Sequence, residues 1–159
     1  MSTRILATVD PVRSRVDART ESGQTIAMDA DPPDGDDSAA GPKETLLAAL
    51  AGCTAMDVAA ILRKKRQAVE TYEIAVSAEA AAEHPRVFTA ITVEHRVTGD
   101  VDPEAVRRSV ELSSTRYCPV NAMLSKSVTI EHWYRLTRSD GGTVEGLVAV
   151  IGPAGARVM

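Results

Sequence analysis

Apolar and polar positions alternate over several short stretches of this chain, and one long stretch is apolar almost all round. The alternating stretches near the start, residues 4–9, 13–18 and 25–29, read as strands, with Glu21-Ser22-Gly23 as the turn between the last two. A meander is the simplest arrangement for them. Residues 31–41 are rich in Asp, Pro, Gly and Ala and carry no apolar period, which predicts an exposed loop. Pro42 at a first helical position and Glu44 in the first turn open a helix expected to run to about residue 67, with Gly52 the single weak point. Its apolar part, residues 46–62, is shorter than the ~20 residues of a membrane span and carries Asp57, so a buried central helix is expected.

Two further strands follow at residues 72–78 and 87–98, the second alternating Val87, Thr89, Ile91 and Val93 against a more polar face, with residues 80–85 as the connection. Asp102-Pro103-Glu104 is a helix start, Asp102 serving as N-cap and Val106, Val110 and Leu112 forming the buried stripe; this helix is expected to end near Tyr117. Pro119 interrupts, residues 120–124 suit a short helical turn, and residues 127–136 read as a final strand. Beyond Arg138 the composition shifts to Gly, Val and Ala. Residues 143–151 read either as an extra strand or, given Gly142, Gly146, Gly152 and Gly155, as a loosely ordered tail. The expected division is one domain over residues 1–138 with a Gly/Val-rich extension over 139–159. The order of elements is α+β and not an alternating βαβ series.

A chain of 159 residues can bury about two thirds of its unfolded surface, so it needs no metal or disulfide to hold a core. A net charge of −4 and only five aromatic residues (Tyr72, Phe88, Tyr117, Trp133, Tyr134) argue against a nucleic-acid-binding protein. The one basic run, Arg63-Lys64-Lys65-Arg66, suits a solvated helix C-terminus. Residues 1–9 hold one Arg and no apolar core followed by a cleavage site, so a cytoplasmic location is expected. Two cysteines in a reducing compartment are then thiols or a transient redox pair, not a structural staple. Taken alone, Ala51-Gly52-Cys53-Thr54-Ala55 reads as a tight helix contact around a buried thiol. His84, His95 and His132 show no metal-ligand spacing, and His95 and His132 read as structural or surface residues beside a Glu. No local signature of a Ser/His/Asp hydrolase, a phosphate-binding glycine loop or a flavin or nicotinamide site is present. No cofactor is expected.

Three segments together change this picture: Gly41-Pro42-Lys43-Glu44-Thr45-Leu46-Leu47-Ala48-Ala49-Leu50-Ala51-Gly52-Cys53, then His84-Pro85-Arg86-Val87-Phe88, then Tyr117-Cys118-Pro119-Val120-Asn121-Ala122-Met123-Leu124. In this order they resemble the OsmC/Ohr family, closest to one of its less characterised branches. The resemblance implies an intertwined homodimer with the long helices at its centre and thiol-dependent reduction of organic hydroperoxides with recycling by a dithiol reductant; charge and helix length add the expectation of no nucleic-acid or membrane partner. It implies Cys53 as the attacking thiol, Cys118 as the resolving thiol, and Glu44 as a carboxylate positioning an Arg; Arg13, Arg15 and Arg19 compete for that place, and Arg15 is chosen. It also places His84 and Arg86 near the site. The alternative is a non-catalytic relative that binds a small apolar or thiol-reactive ligand at the dimer interface.

The chemistry adds its own conditions. A thiolate attacks the O–O bond, so Cys53 needs a cation or hydrogen-bond donor beside it. Asp57, one turn on and on the same helical face, is a carboxylate that disfavours the thiolate. Glu44 and Cys53 lie on opposite faces of a straight helix, roughly 13 Å apart along it. Glu44 therefore acts through the Arg or the partner chain, or the helix breaks near Gly52, or Glu44 caps the helix start.

Overall fold

Three short strands, β1 (Ile5–Val9), β2 (Val16–Thr20) and β3 (Thr25–Met28), pair in that order as an antiparallel meander. The computed structural model describes residues 2–159, and the chain forms two compact units, one ending at Ala48 and one spanning Ala49–Met159. β2 starts later than the alternation suggests because Asp10 closes a turn first. Its carboxylate accepts from the N–H groups of Val12 and Arg13 at 2.8 and 3.2 Å, its carbonyl accepts from Ser14 at 3.0 Å, and Ser14 takes a left-handed φ of 57°. The turn after β2 falls where expected, with Gly23 at a φ of 87° that glycine adopts without strain.

The loop after β3 is tied down by Asp29. This buried carboxylate accepts from Ser38 N–H (2.9 Å), the Ser38 hydroxyl (2.6 Å) and Ala30 N–H (2.8 Å). The Ser38 hydroxyl, first among these donors, holds the Asp29 pKa down to about 2. Gly35 is required here, since a Cβ would come within 2.5 Å of the Asp29 carboxylate and closer still to the Ala30 carbonyl.

Helix α1 (Pro42–Lys64) begins as the Pro-x-Glu pattern predicts. Gly41 donates its N–H to the Glu44 carboxylate at 2.8 Å, so Glu44 closes the first turn from the third helical position. By length and composition α1 could cross a bilayer. Within the second unit, however, every fourth residue, Leu50, Thr54, Val58 and Leu62, is buried, which is one face of an ordinary core helix. Other apolar positions of α1 are open within one chain; Met56 is 75% exposed.

The second unit is built on a sheet of order β4-β5-β6-β7-β8, comprising β4 (Ala68–Ala80), β5 (Phe88–Asp100), β6 (Thr129–Thr137), β7 (Thr143–Gly152) and β8 (Gly155–Val158). β5 and β6 are parallel, and the other neighbours antiparallel. A parallel pair demands a crossover. Here it consists of α2 (Pro103–Leu112), a π-helical turn (Ser113–Tyr117) and α3 (Pro119–Leu124). Asp102 caps α2 as its sequence predicts, accepting from Glu104 N–H. The helical path does continue to Tyr117, but it widens after Leu112 from α to π. Val58 and Leu62 of α1, Val97 of β5, Val106 and Val110 of α2, and Leu136 of β6 form the core.

The Gly-rich end of the chain is sheet, because β7 pairs with β6 along its length and β8 closes the edge. Its glycines mark close approaches. A Cβ on Gly146 would lie 3.3 Å from the Tyr134 ring, and one on Gly152 would lie 2.7 Å from the Thr129 hydroxyl.

Candidate active site

Proline creates the setting of Cys118. A residue before proline is pushed out of the helical region, so Cys118 is extended (φ −74°, ψ 105°) between the π turn and α3. Its N–H still bonds back to Ser113 O at 2.9 Å, the last bond of the π turn. Its Sγ accepts from Asn121 N–H at 3.3 Å and so caps α3 in the place usually taken by a hydroxyl. Cys118 is only 3% exposed.

Cys53 lies on α1, between the buried residues Leu50 and Thr54, and is partly exposed. Both cysteines are free thiols, and they are near enough that Cys53 acts on the Cys118 thiol. Burial first, and the neighbouring Cys53 second, push the Cys118 pKa up to about 12, so Cys118 remains a protonated thiol. The two helical segments are fastened by Ser113, whose hydroxyl donates to the Asp57 carboxylate at 3.0 Å and lies 3.5 Å from Thr54 O. The carboxylate one turn beyond Cys53 thus faces the π turn as the acceptor that docks it.

Behind Cys118 runs a buried polar chain that the local sequence does not announce. Asn121 is fully buried; its Nδ2 donates to Ser114 O at 2.7 Å and its Oδ1 lies 2.8 Å from His132 Nε2. Since the amide oxygen can only accept, His132 Nε2 carries the proton. The His132 ring stacks on His95 with centroids 6.2 Å apart, and His95 Nδ1 lies 2.6 Å from the Tyr72 hydroxyl. Burial raises the Tyr72 pKa, with the Asp57 carboxylate adding to it, so the phenol is the donor in that bond. Burial lowers the pKa of His95 to about 3, His132 adding to the effect, and lowers that of His132 to about 4, so both rings are neutral. His95 and His132 are both buried core residues; the surface reading does not hold. The signal lay in register: both point to the covered face of the sheet, with His132 opposite Val93 and His95 opposite Tyr134.

The other residues singled out from the sequence are placed as follows. Glu44 makes its helix-capping bond to Gly41. Arg15 donates to the Ser38 hydroxyl at 2.5 Å and lies 3.4 Å from Asp17, while Arg13 pairs with Asp36 at 2.7 Å. His84 and Arg86 stand exposed in the connection between β4 and β5. Cys53 and Cys118 are thus brought together, with Asp57, Ser113 and Asn121 as neighbours that the motif alone did not supply.

Comparison with known proteins agrees with this architecture. The family model for OsmC-like proteins matches residues 35–132. Protein YhfA of Escherichia coli K12 is 43% identical over 116 residues, covering 72% of this chain and 84% of YhfA. The crystal structure of a hypothetical protein from Aquifex aeolicus superposes with a TM-score of 0.77 at 24% identity, covering 87% of this chain and 98% of that one. The organic hydroperoxide resistance protein OhrB of Bacillus subtilis superposes with a TM-score of 0.59 at 14% identity, covering 83% and 96%. With its motif segments, its α+β topology and a matched region that spans the whole crossover and both cysteines, this chain belongs to the OsmC-like family.

Proposed function

We propose that the protein is a cytoplasmic thiol peroxidase that reduces organic hydroperoxides through Cys53 and Cys118. The observation that carries this reading is the thiol pair itself: a partly exposed Cys53 near enough to act on a buried, protonated Cys118. The accessible sulfur is the one a peroxide can reach, and the buried one is placed to follow. The name of OhrB, an organic hydroperoxide resistance protein on the same fold, supports the same class of chemistry.

In the first step the Cys53 thiolate attacks the peroxide O–O bond; one oxygen joins sulfur, and the other leaves, takes up a proton and becomes the alcohol. In the second step the Cys118 sulfur displaces hydroxide from the Cys53 sulfenic acid, its thiol proton completes a water molecule, and a disulfide forms. An external dithiol reductant then exchanges with that disulfide, restoring both thiols as it is itself oxidised. Cys53 already acts on the Cys118 thiol before the reaction, which supports Cys118 as the thiol that follows.

Arg15 is the cation proposed to stabilise the Cys53 thiolate, with Glu44 as its supporting carboxylate. Arg15→Ala lowering the peroxide rate at least ~10-fold supports this; an unchanged rate leaves Arg15 to the Ser38 contact and Glu44 to its cap. The open apolar positions of α1 fit a homodimer in which the two long helices cover each other. A folded monomer in sedimentation would refute that assembly.

The decisive test is turnover of cumene hydroperoxide with a dithiol reductant. Cys53→Ser should abolish it, whereas Cys118→Ser should allow a single oxidation of Cys53 and then stall. Full turnover by Cys53→Ser, or the absence of sulfenic acid and disulfide in wild type by mass spectrometry, overturns the reading in favour of a family member that binds a ligand without this reaction.

A further inference from the structure

α3 is six residues long, and its one buried residue is polar, Asn121. Its apolar residues Val120 and Leu124 are only half-buried, so its hydrophobic hold is weak and its attachment leans on hydrogen bonds. Two of these are side-chain bonds of Asn121, to Ser114 O and to His132 Nε2, and they fix its amide in one orientation. The backbone N–H of the same residue is the donor on Cys118 Sγ. The place of the sulfur is thus tied through one residue to a fully buried ring in the middle of β6. That ring is braced in turn by stacking on His95, which Tyr72 holds from β4.

The two ring nitrogens left over, His95 Nε2 and His132 Nδ1, are buried without a partner among the described residues. Tautomer assignment gives them opposite roles. His95 accepts from Tyr72 at Nδ1 and so carries its proton on Nε2, whereas His132 donates from Nε2 and presents a bare lone pair at Nδ1. A polar arrangement this costly in an otherwise apolar sheet calls for a function that apolar packing of the same volume would not supply.

We propose that Asn121 and His132 are positioning residues that hold the Cys118 thiol in line with Cys53, so that disulfide closure is fast although the Cys118 thiol is buried. The proposal rests on the two-thiol reading, but it concerns the closing step and not the oxidant.

The test therefore omits peroxide. Reduced protein is treated with oxidised glutathione, quenched in acid at intervals and weighed intact. Cys53 displaces one glutathione to form a mixed disulfide. The Cys118 sulfur then attacks the Cys53 sulfur, the Cys53–glutathione bond breaks, and the leaving glutathione takes the Cys118 proton.

In wild type the mixed disulfide should be short-lived. In His132→Leu and in Asn121→Ala, which keeps the backbone donor and loses only the side chain, it should persist about tenfold longer. His132→Gln, which restores an N–H donor toward Asn121, should close within about threefold of wild type. The rate at which iodoacetamide alkylates Cys53 should be unchanged in all three. Should His132→Leu fail to fold, Asn121→Ala against His132→Gln carries the comparison.

Equal closure rates in every chain overturn the proposal. So does a Gln variant as slow as Leu, or a wild type that stops at the mixed disulfide. A protein that closes this disulfide on schedule yet reduces no hydroperoxide fails the peroxidase reading and leaves the positioning role standing.

Discussion

The two units each keep polar side chains out of bulk water, and they do so in opposite ways. In the first, Asp29 stays ionised because two backbone N–H groups and a hydroxyl converge on it from the loop it organises. In the second, Tyr72, His95, His132 and Asn121 form a chain with no net charge. The difference follows from where the backbone is already committed. An irregular loop has free N–H groups to offer a charge, whereas strands β4, β5 and β6 spend theirs on the ladders, so side chains in the sheet interior stay neutral.

Acid should break this symmetry most strongly. The unfolded pKa of a histidine is near 6.5, and the folded values are about 3 for His95 and about 4 for His132. Lowered folded values mean that the neutral rings stabilise the fold fully above pH 6.5 and that this stability is lost as pH falls toward the folded values. Two such groups give a slope of about 2.7 kcal/mol per pH unit from pH ~6 to ~4.5. Urea melts followed by the fluorescence of Trp133, the one tryptophan, report it. His132→Gln should halve the slope, and an unaltered slope would mean that the rings are not buried neutral. Asp29 runs on a lower window. Its contribution, present above its unfolded pKa of 3.8, disappears only as pH drops toward about 2.

Tyr72→Phe removes the donor from His95 Nδ1 and leaves a buried acceptor unpaired, which should cost about 1–2 kcal/mol in the same melts. A neutral result would mean that the Tyr72–His95 bond adds nothing net to the stability of the fold. Asp29→Asn should act locally, exposing the 30–40 loop to protease at neutral pH while the Trp133 transition stays in place. Arg15→Ala should change stability least, by under ~0.5 kcal/mol, and less still in high salt, since its partners lie at the surface.

How far each part was legible in the sequence depended on how local its cause is. Asp102-Pro103, Pro42-x-Glu44 and Cys118-Pro119 are written in adjacent residues, and each forms the expected start or stop. The start of β2 was missed because the Asp10 turn depends on a side chain closing onto nearby N–H groups. Strands β7 and β8 were ambiguous because their glycines read as looseness, while Gly146 and Gly152 are there to let β6 approach. The cysteine pair was legible as a resemblance across three segments. The histidine chain was not, because His95 and His132 meet only when β5 and β6 align in parallel.

That parallel register has a kinetic consequence. Strands β4 and β5 are a hairpin and can zip locally, but β5 and β6 cannot pair until the whole α2, π-turn and α3 crossover has been laid down between them. Cys118 sits inside that crossover. A growing or refolding chain should therefore hold its hairpin and long helix while its two sulfurs are still strangers, so that a disulfide formed with another molecule before folding has no second thiol at hand to release it.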